Sequence, residues 1–129
     1  MDSKGYKILG YQILKIEMNF EDVKDGDHEI QLKTSLNIMV PEQKTDPECL
    51  VIIQTAFSDE REENILSVTI HAKVRVENRD ENTTEYLRDE VVPDVYGYLK
   101  KFIEQLLSQA QIEFLPMPRY EDLISKNQD

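Results

Sequence analysis

Along most of the first 77 residues, apolar and polar side chains alternate with a period of two, the spacing of half-buried strands. Leu14, Ile16, Met18 and Phe20 alternate with Lys15, Glu17, Asn19 and Glu21, which predicts a first strand with one dry and one wet face. A charged turn containing Gly26 follows. In the second strand Ile30, Leu32, Leu36, Ile38 and Val40 alternate with Gln31, Lys33, Ser35, Asn37 and Met39, and Thr34 is the one softer position on the apolar face. Pro41 and the stretch to Pro47 end that strand and predict a loop. Residues 50–57 are more continuously apolar, as suits a central strand. The fourth strand has the cleanest alternation, with Leu66, Val68, Ile70, Ala72, Val74 and Val76 set against Ser67, Thr69, His71, Lys73, Arg75 and Glu77. His71 reads as an exposed spacer on the wet face.

After a polar loop over residues 78–85 the period becomes helical. Val95, Tyr98, Leu99, Phe102, Ile103, Leu106, Leu107 and Ala110 fall at three- and four-residue steps, making one apolar stripe. Pro93 suits the first turn of that helix, and Asp94 suits the positive end of its dipole. Pro116 and Pro118 forbid a regular helix beyond it. A short final helix is predicted from about Arg119 through Leu123 and Ile124. The expected fold is α+β: a four-stranded antiparallel sheet followed by one long and one short C-terminal helix, in a single domain over residues 1–129. One long helix covers such a sheet only in part, so apolar area is left over and oligomerisation is expected.

Composition narrows the function. The chain has 129 residues, 40% hydrophobic and 32% charged, with a net charge of −11. That balance disfavours nucleic acid and anionic membranes and suits basic partners. No apolar run approaches the roughly 20 residues that span a bilayer, and the first twenty residues do not read as a signal peptide, which predicts a cytoplasmic protein without membrane insertion. Cys49, the only cysteine, sits in an apolar run and reads as a buried thiol.

Chemistry is hard to find. Four scattered glycines build no phosphate loop, two distant histidines make no metal motif, and no Gly-x-Ser-x-Gly or His-Glu-x-x-His occurs. The carboxylates lie mostly in loops, where solvation explains them. The chain reads as non-enzymatic and without a cofactor. What stands out is apolar: Phe114, Leu115, Met117 and Tyr120 in a proline-stiffened segment. They either pin that segment to the sheet or line a groove for a flexible polypeptide, a role that suits Met and aromatic side chains.

Three stretches, in this order of elements, resemble the SecB-type chaperones. Residues 17–21, Glu-Met-Asn-Phe-Glu, are similar to a stretch of the family's first strand. Residues 98–106 resemble the start of its long helix, and residues 115–123, Leu-Pro-Met-Pro-Arg-Tyr-Glu-Asp-Leu, resemble the motif that follows it. The resemblance implies a holdase that binds non-native polypeptides in apolar grooves and assembles as a homotetramer, a dimer of dimers. It also implies that Glu17 and Glu21, on one wet face, contact the export ATPase SecA in protein export; ordinary solvated strand residues are the other reading. The family's acid in the third strand is missing from Leu50-Val51-Ile52-Ile53, and the residues before the long helix differ. Those departures keep two alternatives open: a dedicated chaperone of a single client such as an antitoxin, or an oligomeric scaffold that has lost client binding.

Overall fold

The structure, a computed structural model, describes residues 5–19, 30–43, 45–59, 64–77, 79–110 and 117–122. Its sheet comprises β1 Tyr6–Met18, β2 Gln31–Met39, β3 Glu48–Ser58 and β4 Asn64–Val76. All pairings are antiparallel and the strand order is β1-β4-β3-β2. β4 and β3 are therefore central, and their β-branched residues suit a pleated surface covered on one side. Leu66, Val68, Ile70, Ala72 and Val74 of β4 are fully buried, facing the same way as Val51, Ile53, Thr55 and Phe57 of β3.

β1 is longer than its alternation suggests, beginning at Tyr6 rather than near Leu14. Its register against β4 slips between Ile8 and Gly10 and again between Ile13 and Lys15, so Leu9 and Leu14 are the extra residues of two bulges. Each bulge resets the alternation. The dry face therefore runs Tyr6, Ile8, Tyr11, Ile13, Ile16, Met18, and Leu14 does not belong to it.

The helical region also starts early. Residues from Thr83, read above as the end of a polar loop, form α1 Thr83–Tyr86, then a wider π-type turn over Leu87–Val91, then α2 Val92–Gln109. Pro93 stands in the first turn of α2, as expected, but the helical backbone continues upstream of it through the wider turn. It cannot donate a backbone hydrogen bond, and the widened turn just before it is where the ladder changes register. The buried stripe is Leu87, Val91, Val92, Val95, Tyr96, Leu99, Ile103 and Leu107. Tyr96 thus points into the core, whereas Tyr98 is 40% exposed and Ala110 is exposed.

Tyrosines fasten the helix to β1. The Gly5 amide donates to Tyr86 Oη at 3.0 Å, and the Tyr6 ring meets that of Tyr86 edge-on at 6.0 Å. The Tyr6 hydroxyl donates to the Asp94 carboxylate, with the Glu90 carbonyl 3.3 Å away. Burial and that carboxylate hold the phenol well above its ordinary pKa. At the other edge, Arg79 donates to the carbonyls of Pro41 (3.0 Å) and Gln43, joining the β2–β3 loop to the start of the helical region. Cys49 is 1% exposed in the core, where burial raises its thiol pKa.

Candidate functional site

The helix leaves apolar surface open on both of its flanks. On the β1 flank, Tyr6 meets Asp94 and Tyr11 stacks on Tyr98. From Asp94 to its end α2 rises only about 22 Å, whereas β1 rises about 40 Å from Tyr6 to Met18. The helix ends before the strand does. Ile16 and Met18 consequently stay exposed although they face the helix side, and the bulge residues Leu9 and Leu14 are exposed as well.

The opposite flank carries Tyr96, which lies about 200° around the helix from Asp94. Its hydroxyl donates to the Pro118 carbonyl at 2.8 Å, and its ring lies 5.7 Å from that of Tyr120. Burial, with the Glu104 carboxylate adding to it, pushes the Tyr96 phenol up to about 12. The segment from Met117 to Tyr120 is thereby laid along the helix. On the sheet, the inward face of the edge strand β2 is only half covered: Leu32 and Ile38 are partly buried and Leu36 is 40% exposed.

The four residues singled out in the proline-stiffened segment separate in this structure. Met117 is 7% exposed and joins the core, and Tyr120 is half-buried against Tyr96. Phe114 and Leu115 lie outside the described residues. Of the acidic pair, Glu17 is exposed on the wet face of β1, where its carboxylate stands 2.7 Å from Lys15 Nζ. Glu21 also lies outside the described residues. Sequence reasoning missed the exposed Leu36, Leu9 and Tyr98. Leu9 is hidden by a bulge, and no alternation pattern reveals that a dry face lacks a cover.

Among the described residues, no group of three or more His, Cys, Asp or Glu side chains could hold a metal ion. No helix among them is long and apolar enough to cross a membrane.

No family model matches the chain, and no curated protein matches it in sequence. Among solved structures it is similar to the Mycobacterium tuberculosis Rv1957 SecB-like chaperone, in complex with a ChAD peptide from the Rv1956 HigA1 antitoxin. The TM-score is 0.66 at 12% identity, over 88% of this chain and 86% of that one. Strand order, antiparallel pairing and the long helix that follows give this chain a SecB-like fold.

Proposed function

We propose that the chain is a holdase-type chaperone that captures extended, apolar stretches of a polypeptide client without nucleotide or cofactor. The observation that carries this reading is the half-open inward face of β2, with Leu36 exposed, on the flank where Tyr120 packs beside the helix. A furrow between them offers an apolar wall to a client side chain, and β2, paired on one side only among the described residues, offers a strand edge to its backbone. Burying one large aliphatic side chain there is worth about 1.5–3 kcal/mol, so holding a loose chain at micromolar strength, about 8 kcal/mol, takes several such contacts together with backbone pairing.

The structural neighbour was solved with an antitoxin peptide, which supports a dedicated client over a general clientele. The β1 edge, unpaired along its outer side among the described residues and apolar at Leu9, Ile16 and Met18, supports self-association, with a dimer of dimers as the full assembly. Export through SecA is the weaker reading. Glu17 is exposed as that contact requires, but its charge is met by Lys15.

The test is aggregation of a chemically denatured protein diluted into buffer with the chain at equal molarity. Suppression without nucleotide, lost at substoichiometric ratios, is the expected result. A chain that fails to suppress aggregation in any excess is no holdase.

A further inference from the structure

The sulfur atoms of the chain divide by exposure. Cys49 is 1% exposed, and burial raises its thiol above the ordinary pKa, so little reactive thiolate forms. Met117 is closed off in the core at 7%. Met18 and Met39 are each 49% exposed, on strands at opposite edges of the sheet. Among the described residues these two thioethers are the sulfurs that a dissolved oxidant reaches. The backbone at Met18 is fixed. It stands opposite Leu66 in the ladder, and the next amide, of Asn19, donates to the Ile65 carbonyl at 2.8 Å. Leu66 and Val68, across the pair from Met18 and Ile16, are fully buried, whereas Met18 and Ile16 face the same side and stand in the open. The exposed thioether thus belongs to the apolar end of β1 that the helix leaves uncovered.

We infer that Met18 is an oxidation site, with a peroxide as the oxidant, and that its sulfoxide keeps the chain from self-associating. The inference rests on the assembly proposed above through β1. In the reaction the sulfur lone pair attacks one peroxide oxygen, and the S–O bond forms as the O–O bond breaks. Two electrons pass from sulfur to the peroxide, and the departing oxygen leaves as water with the proton of the oxygen transferred. The product is a sulfoxide, polar where the thioether was apolar. On an open strand its oxygen is hydrated. Pressed against apolar side chains such as Ile16 in a contact between copies, it finds no donor, and a buried acceptor without a partner opposes association. A two-fold contact presents the change twice. Because the thioether is open only while the chain is free, oxidation acts on unassembled chains and holds them so.

The test treats the full chain with graded hydrogen peroxide and follows each methionine by peptide mass spectrometry. Met18 and Met39 should oxidise well before Met117. At the dose that leaves Met117 intact, sedimentation should show the association constant lowered at least about tenfold from that of the untreated chain. Met18→Leu should assemble like the untreated chain and keep its size after peroxide. Met39→Leu, on the far edge of the sheet, should lose association on treatment as wild type does. Association unchanged when Met18 is fully oxidised, or an equal loss in Met18→Leu, overturns the inference and leaves the assembly standing. So does a Met18 that oxidises no faster than Met117. An untreated chain that is already monomeric overturns both this inference and the assembly.

Discussion

The rings of Tyr11 on β1 and Tyr98 on α2 are stacked, with centroids 3.9 Å apart and planes within 1° of each other. The pair closes the seam between helix and sheet at the level where the fully buried core gives way to surface. Tyr98 is part-exposed, so most of its worth lies in this one contact. Aromatic pairs contribute about 0.5–1.5 kcal/mol beyond area burial. Tyr98→Ala should lower unfolding free energy by roughly 1–2 kcal/mol in urea, and a double-mutant cycle with Tyr11→Ala should return a coupling of at least about 0.5 kcal/mol. Additive losses would mean that the stack contributes nothing of its own.

Arg79 forks onto two backbone carbonyls, of Pro41 and Gln43. Hydrogen bonds from a charged donor are worth about 1.5–3 kcal/mol when lost. Part exposure of the side chain discounts that, so Arg79→Ala should destabilise the chain by about 2 kcal/mol. Lysine should not restore it, because a compact ammonium does not reproduce the planar fork. Restoration by lysine would reduce the contact to a matter of charge.

Alkali should loosen the segment from Met117 to Tyr120. The Tyr96 phenol is raised from 10.0 to about 12 in the folded state, chiefly by burial. A raised value means that the neutral phenol is favoured by folding; its contribution is complete below pH 10 and is lost as pH climbs to about 12. Urea midpoints taken at about pH 9 and about pH 11.5 should therefore fall with pH. Tyr96→Phe should start lower, having lost the bond to the Pro118 carbonyl, and should fall less steeply. An equal slope in the variant would assign the alkaline loss to the other tyrosines.

The client furrow is open to substitution because its lining is not core. Leu36→Asp with Tyr120→Ala should weaken capture of a denatured protein by at least about tenfold. The circular dichroism spectrum and assembly size should not change. Met117→Ala is a different experiment: at 7% exposure its loss leaves a cavity and costs about 2–4 kcal/mol of stability. Full capture by the Leu36 and Tyr120 double variant would remove β2 from the proposed furrow.

Self-association has its own variants. Ile16→Lys with Met18→Lys puts two charges on exposed apolar positions of β1. Sedimentation should then show a smaller species than wild type. A wild-type chain that sediments as a monomer at tens of micromolar would rule out assembly through this strand.

How much of this was legible in the sequence depends on how strictly each segment keeps its period. β4 alternates without a break from Leu66 to Val76, and α2 repeats at Val95, Leu99, Ile103 and Leu107, so both were readable. The first half of β1 was not, because the bulges at Leu9 and Leu14 reverse the alternation twice. The early helical turn escaped notice because Thr83 and Thr84 read as loop and Pro93 reads as a helix start, while burial of Leu87 and Val91 secures the helix upstream of that proline. At the candidate site, the aromatic segment after the helix was visible from its prolines. That Met117 turns inward and Leu36 stays half bare depends on where the helix lies across the sheet, which no local pattern encodes.

The strand order has a consequence for how the chain is made. Of the four strands β1 leaves the ribosome first, yet among the described residues its one neighbour in the sheet is β4, and Met18 must wait for Leu66 just as Tyr6 must wait for Val76. β2 and β3 can close as a hairpin in the meantime, but the first-made strand stays single until some fifty further residues have been translated. Such distant closure is slow and exposes an unpaired sticky edge. A protein proposed to shelter unfinished polypeptides thus passes through a stage in which it is one, and its own cellular yield depends on how that strand is shielded during synthesis.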